Sequence, residues 1–473
     1  MFPSTVTRTA ALALALSMTG CASTRVDENL ASIREITDSQ LGVQVRWLTT
    51  DDSRRQAETD VDALLAKPLG ADDAVRITLA YSPAVQVMLS EGAARSAGLT
   101  QATRLPNPLF GFERMLRSEP GVRELEITRT LAVSLYDLIL LPTRLEIGTL
   151  RQQQTALELA NDVVKGAVAS RQAWVQAVAA EQALGYARQV KASADASAEL
   201  ARRMHAVGNF SKLQRAREQA FDAEAVAQLA RADQRARVAR ERLVRNLGLS
   251  DAQALRLVLP DRLPELPMEP RDERSVMQGA IDQRLDVRIA RANLAATARE
   301  QGLTRVTGAV DSFKIARVHK SDTGRDAQRG YELEVPLPVF DIGDAARLRA
   351  ESTYLAALGR TAQRVVEASS HVREAYVEYR TAYDVARHYR DEVVPLRKAI
   401  SEENLLRYNG MLIGVFELLA DAREQIVSVI QAIDAQREFW LADAALQAAL
   451  IGEPIAASPT GMEATSAADR RGH

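Results

Sequence analysis

The feature that most limits the fold is a long helical run with two apolar stripes. Ala156, Leu159, Val163, Gly166, Ser170, Ala173, Ala177, Ala180, Leu184 and Ala187 step by three and four. That spacing is the knobs-into-holes seam of a coiled coil. Beside it runs a second stripe of Ala160, Val164, Ala167, Trp174 and Val178. One seam would suit a plain antiparallel coiled-coil hairpin. Two seams require neighbours on both sides, as in a sheet or barrel of helices. Fourteen of residues 151–200 are alanine, and small side chains let helix backbones approach closely.

The order of events repeats along the chain. A helical segment (roughly 71–101, then roughly 274–301) precedes two strand-like segments. A very long helix follows, roughly 144–206 and roughly 344–408, then a Gly-containing turn and a returning helix, roughly 211–248 and 412–450. Arg171-Gln172-Ala173-Trp174-Val175-Gln176 matches Arg373-Glu374-Ala375-Tyr376-Val377-Glu378, and Ala-Arg-Glu-Gln occurs at both 216–219 and 422–425. The lengths agree as well. A helix of about 63 residues is roughly 95 Å long, so each long helix can be flanked by two shorter ones stacked end to end. The organisation expected is a first repeat at 71–248, a Pro-rich linker at 249–273 and a second repeat at 274–452. A segment at 21–70 precedes them, and a small, polar, disordered tail follows at 453–473.

Two strand segments alternate in polarity. In 124–135, Leu125, Ile127, Leu131, Val133 and Leu135 oppose Glu124, Glu126, Thr128, Thr130, Ala132 and Ser134, with Arg129 breaking the apolar face. In 331–340, Tyr331, Leu333, Val335, Leu337 and Val339 oppose Glu332, Glu334, Pro336 and Pro338. The two prolines remove ladder donors and mark an exit from the sheet. Partner strands are expected near 107–117 and 304–318, with Phe110, Phe112, Phe313 and Ile315 on the apolar side. One greasy and one polar face suits a membrane barrel. Four strands cannot close one, since about eight is the practical minimum, and open edges are not tolerated in lipid. If these strands span a membrane, several copies must pool them.

The N-terminus reads as an export signal over 1–20. Arg8 precedes an apolar run, Ala10 to Met18, that is too short to span a bilayer. It ends at Met18-Thr19-Gly20-Cys21, which resembles a bacterial lipobox and makes Cys21, the only cysteine, the expected lipidation site. Ala22 after it points to the outer membrane. Balanced charge, 60 basic against 62 acidic side chains, gives no basic excess for a nucleic-acid partner.

Taken in order, these features resemble the TolC-like outer membrane factors over about residues 71–450. The internal repeat, Leu105-Pro106-Asn107, the strand ending Pro336-Leu337-Pro338-Val339-Phe340-Asp341-Ile342-Gly343 and the Gly-containing tips carry the resemblance. It implies a mainly helical chain with a small β part and a homotrimer. Long antiparallel helices would form an α-barrel tunnel, and each copy would give four strands to a shared transmembrane β-barrel. It also implies a periplasmic adaptor and an inner-membrane pump as partners, docked at the tips Gly208, Asn209, Phe210, Ser211 and Gly410, Met411, Leu412, Ile413, Gly414. Glu417 and Asp421 become candidates for a pore constriction. Acid at a helix start is equally explained by the helix dipole. The second tip resembles members associated with copper or other heavy-metal resistance. The collar at mid-tunnel would come from 21–70 and the linker.

No catalytic chemistry is expected and no cofactor. His205, His319, His371, His388 and His473 show no ligand spacing, and Walker and nucleophile-elbow motifs are missing. Two other readings fit the same pattern. One is a lipid-anchored periplasmic coiled-coil scaffold or adaptor with a soluble β-domain. The other is a type I protein secretion duct.

Overall fold

The computed structural model describes residues 31, 33–38, 42–119, 122–278, 280–310 and 312–452. The expected signal segment, Cys21 and the tail 453–473 lie outside the described residues. The chain divides into two compact units. The first contains Ser90–Leu159 and Asp286–Val366; the second contains Arg34–Leu89, Ala160–Leu285 and the chain from Glu367.

From residue 51 the chain forms α1 (Asp51–Leu65), α2 (Ala71–Tyr81) and α3 (Pro83–Ala102). The sequence suggested one helix over 71–101. The chain breaks at Ser82, whose ψ is 127°, because the residue before a proline is driven out of the α region. Strands β1 (Leu109–Glu119) and β2 (Val122–Ser134) form a hairpin. Helix α4 (Leu135–Ala206) then runs for 72 residues, about 108 Å. It starts nine residues before the expected position at 144. Ser134 is the reason: its Oγ accepts the Asp137 N–H at 3.2 Å and caps the new helix. Pro142 lies inside α4 near its start and does not end it.

Helices α5 (Lys212–Leu247) and α6 (Asp251–Arg256) precede the linker. Beyond it the expected segment 274–301 is split into α7 (Glu273–Met277), α8 (Ala280–Gln283) and α9 (Leu285–Thr307). The last turn of α9 occupies residues expected in a strand from about 304, and β3 is confined to Lys314–Asp322. Strand β4 spans Gln328–Glu334. It stops short of the expected 340 because Pro336 and Pro338 cannot donate to the ladder. Helix α10 (Asp344–His388) passes through a π turn at Tyr389–Val393 into α11 (Val394–Asn409). Pro395 sits in the first turn of α11; the wider turn accommodates a residue that lacks an N–H and crowds the carbonyl four residues back. Helix α12 (Val415–Ile451) closes the chain.

In the first unit the four strands form one antiparallel sheet in the order β1-β2-β3-β4. Its two outer strands have open edges. Arg151 ties α4 to α9, donating to Glu300 at 2.8 and 2.9 Å and to Asn293 at 2.7 Å. Gly343, with φ of 76°, admits no side chain, because a Cβ there would collide with the Gly308 carbonyl.

In the second unit both seams of α4 are buried, including Val163, Ala160, Val164, Ala167, Trp174, Ala177 and Val178. The internal repeat shows in matching polar ties. The Trp174 indole donates to Leu69 O at 2.7 Å, and the Tyr376 hydroxyl donates to Arg271 O at 3.1 Å. Donors and acceptors are both displaced by the same 202 residues. Each acceptor lies just before the first helix of its repeat. Tyr379, Tyr383 and Phe439 form the aromatic centre of the second half, and Tyr383 holds the Pro-rich linker through Met268 O at 2.8 Å. Arg284 is fully buried and donates to the Ala449 carbonyl in the last turn of α12, where a cation suits the helix dipole.

Candidate membrane face and hairpin tips

Strand register assigns every sheet residue to one of two faces, because directly opposed residues share a face. One face carries Phe110, Phe112, Leu116, Leu125, Ile127, Leu131, Val133, Ile315, Tyr331 and Leu333. Phe110, Phe112, Leu116, Leu131, Val133, Tyr331 and Leu333 are exposed in the single chain. The expected alternation is therefore present. Phe110, Phe112 and Ile315 lie on the apolar side as anticipated; Phe313 lies outside the strand, where its carbonyl accepts the Leu135 and Tyr136 N–H groups at 2.9 and 3.1 Å. The opposite face carries Glu113, Glu124, Glu126, Thr128, Thr130, Lys314, Lys320, Asp322, Glu332 and Glu334. Lys320 bridges to Glu126 at 2.5 Å and Lys314 to Glu334 at 3.6 Å. No helix among the described residues is long and apolar enough to cross a membrane.

The tips belong to the second unit. At the first, the N–H groups of Asn209 and Phe210 both donate to Met204 O, at 2.9 and 3.2 Å. Gly208 permits this reversal with φ of 82°, a region closed to most side chains. Ser211 then opens α5 through a capping box with Gln214. Gly208, Asn209 and Ser211 are exposed, whereas Phe210 is buried and its carbonyl accepts from the His205 ring at 2.8 Å. At the second tip Met411 takes the turn conformation, with φ of 57°, and is 92% exposed. Leu412 is also exposed, Ile413 is half-buried, and Gly410 and Gly414 lie open to solvent. Gly414 precedes α12 without any side-chain cap.

Glu417 is exposed in the first turn of α12, while Asp421 one turn later is buried and its Oδ2 has no hydrogen-bond partner. A neighbouring cluster was not foreseen. Glu218 of α5, almost fully buried, accepts from Ser197 Oγ at 2.9 Å and from Arg423 of α12 at 2.7 Å. Arg423 also lies over the Phe221 ring, 4.4 Å from its centre. The two copies of Ala-Arg-Glu-Gln, noted only as a sign of repetition, thus touch each other across the two hairpins. Nearby, hydrogen bonds from Lys191 hold the Asp195 carboxyl below its ordinary range, and those to Asp195 raise Lys191. Among the described residues no group of three or more His, Cys, Asp or Glu is placed to hold a metal ion.

No family model matches this sequence, and no curated protein matches it. Solved structures do. CusC, studied for conformational changes accompanying folding and transmembrane channel formation, superposes with a TM-score of 0.66 at 15% identity, over 81% of this chain and 92% of its own. The open state of the MtrE outer membrane channel of Neisseria gonorrhoeae gives 0.67 at 17% identity, over 80% and 88%. The outer membrane protein VceC of Vibrio cholerae gives 0.65 at 13%, over 80% and 95%. The chain therefore has the fold of the TolC-like outer membrane channels: long helices joined to a four-stranded antiparallel sheet.

Proposed function

We propose that this protein is the outer-membrane channel subunit of a tripartite efflux pump, a passive conduit rather than an enzyme. One observation carries the reading: a four-stranded sheet with open edges and an exposed apolar face. In lipid such a sheet must close against copies of itself. Three copies would pool twelve strands, above the roughly eight that a barrel needs. A second exposed stripe supports association. Leu348, Leu355, Val366 and Val377 of α10 are all exposed and recur at seven and eleven residues, spacings that return to one helix face.

In this reading the homotrimer stands in the outer membrane, anchored by a lipid on Cys21, and reaches into the periplasm. The tips at 208–211 and 410–414 dock on a periplasmic adaptor that connects to an inner-membrane pump. Glu417, being exposed, is better placed to narrow a lumen than Asp421, which is buried one turn later. The pump chooses the cargo, whether heavy-metal ion or drug.

The test is conductance. Purified full-length protein, added to a planar bilayer, is expected to give discrete ion-conducting steps from a detergent-stable trimer. A monomer that stays in the aqueous phase and never conducts would refute the reading.

A further inference from the structure

The sheet sorts its charges by face. Arg114, Arg123, Arg129, Arg317, His319 and Arg329 all lie on the apolar face, which holds no Asp or Glu. The other face holds Glu113, Glu124, Glu126, Asp322, Glu332 and Glu334 among its residues. Among the described residues none of these five arginines or His319 makes an ion pair or a side-chain hydrogen bond, whereas Lys314 and Lys320 opposite are paired. Unpaired arginines on a greasy face are expensive unless an anion meets them.

Their placement is specific. Arg129, His319 and Arg329 are direct neighbours across β2, β3 and β4, so the row spans about 10 Å at the usual strand spacing of about 4.8 Å. It lies within one residue of the last level at which all four strands pair; beyond that level β3 pairs with β2 as far as Asp322, and then only the β1–β2 ribbon continues to its turn. Arg317 and Arg114 lie one level to either side. Towards the helical end Arg317 shares its level with Leu131 and Tyr331, and the next level, Val133, Ile315 and Leu333, is wholly apolar, about 13 Å from the row.

The geometry points to a binding belt for the phosphates of a phosphorylated glycolipid in the outer leaflet, held by Arg129, Arg317 and Arg329. This rests on the membrane reading given above. Guanidinium forks match phosphate oxygens two at a time, and long Arg stems can lie along acyl chains while their heads reach the head-group layer. The hairpin turns, at the same end, would point outward.

The experiment uses the full-length protein reconstituted into phosphatidylcholine vesicles with or without a bis-phosphorylated lipid A. Lipid carried through detergent exchange is counted by mass spectrometry, and channel conductance is recorded in pure phosphatidylcholine. The triple variant Arg129→Gln, Arg317→Gln, Arg329→Gln should bind lipid A on the order of a hundredfold more weakly, roughly fivefold for each charge lost, with conductance unchanged. The lysine triple, which keeps the charge and loses the fork, should bind between the two, and Arg117→Gln on the opposite face should bind as the parent does. Equal retention by the glutamine triple and the parent, with both conducting, overturns the belt alone. A parent protein that enters neither bilayer overturns the belt together with the channel. Equal capture of phosphatidylglycerol would also overturn it, by showing only a generic response to negative charge.

Discussion

Met411 and Gly208 perform the same turn with different means. Gly208 reaches its φ of 82° without steric cost, while Met411 holds φ of 57° with a side chain in place, a conformation costing about 1–2 kcal/mol. Met411→Gly is expected to stabilise the second tip by about 1 kcal/mol, and Gly208→Ala to destabilise the first by about 1–2 kcal/mol. Amide hydrogen exchange of the flanking turns checks both. Glu218 and Arg423 make a sharper case. Arg423→Ala leaves a buried carboxylate with only Ser197 as its donor, and should cost about 2 kcal/mol. That figure lies below the range for a fully buried pair because Arg423 is 33% exposed. A double-mutant cycle with Glu218→Gln should show a coupling of similar size; additive effects would mean that the tie contributes nothing. The sequence displayed these residues only as two like motifs. Nothing in a one-dimensional pattern says that repeats some two hundred residues apart meet, because their contact depends on how hairpins pack side by side.

At the level of elements, periodicity was informative where one face is buried and one wet. The seams of α4 and the alternation of β2 could be read directly, since heptad and dyad spacings leave distinct apolar patterns. Boundaries were harder. Ser134 turns a strand into a helix through a single cap, and Pro83 splits one expected helix into two, so local hydrogen bonding overrode the broader pattern. The split of 274–301 into α7, α8 and the longer α9 has no comparable signal in its sequence. The repeat itself was legible, and Trp174 and Tyr376 give it a physical test. Trp174→Phe and Tyr376→Phe each remove one buried donor to a connecting-segment carbonyl. Each should lower stability by about 1–2 kcal/mol, seen as similar shifts in denaturant midpoint. A loss at one position only would break the equivalence of the two halves.

For the whole molecule, pH and association are the accessible variables. Arg46 holds Asp60 below the ordinary carboxylate range, Arg256 does so for Asp62, Arg203 for Glu199, and Arg390 for Asp391. Each has a folded pKa below its unfolded one. The stabilisation is therefore complete above the unfolded value, roughly pH 4, and drains away as pH falls through the folded values. Thermal unfolding should move to lower temperature below about pH 4, and less steeply in high salt, since these groups are exposed. Association should depend on the uncovered stripe of α10. Leu355→Glu with Val377→Glu is expected to turn a trimer into monomers by native mass spectrometry without loss of helicity; a trimer that persists would place the contact elsewhere.

The duplicated architecture has a consequence for stoichiometry. A threefold ring built from such chains would present six helical turns at one rim, in two alternating kinds: one glycine-hinged and serine-capped, the other methionine-strained and uncapped. A docking ligand with true sixfold symmetry would meet unequal neighbours at every step. Such a rim favours either a partner tolerant enough to ignore the difference or one that recognises a single kind and occupies alternate positions.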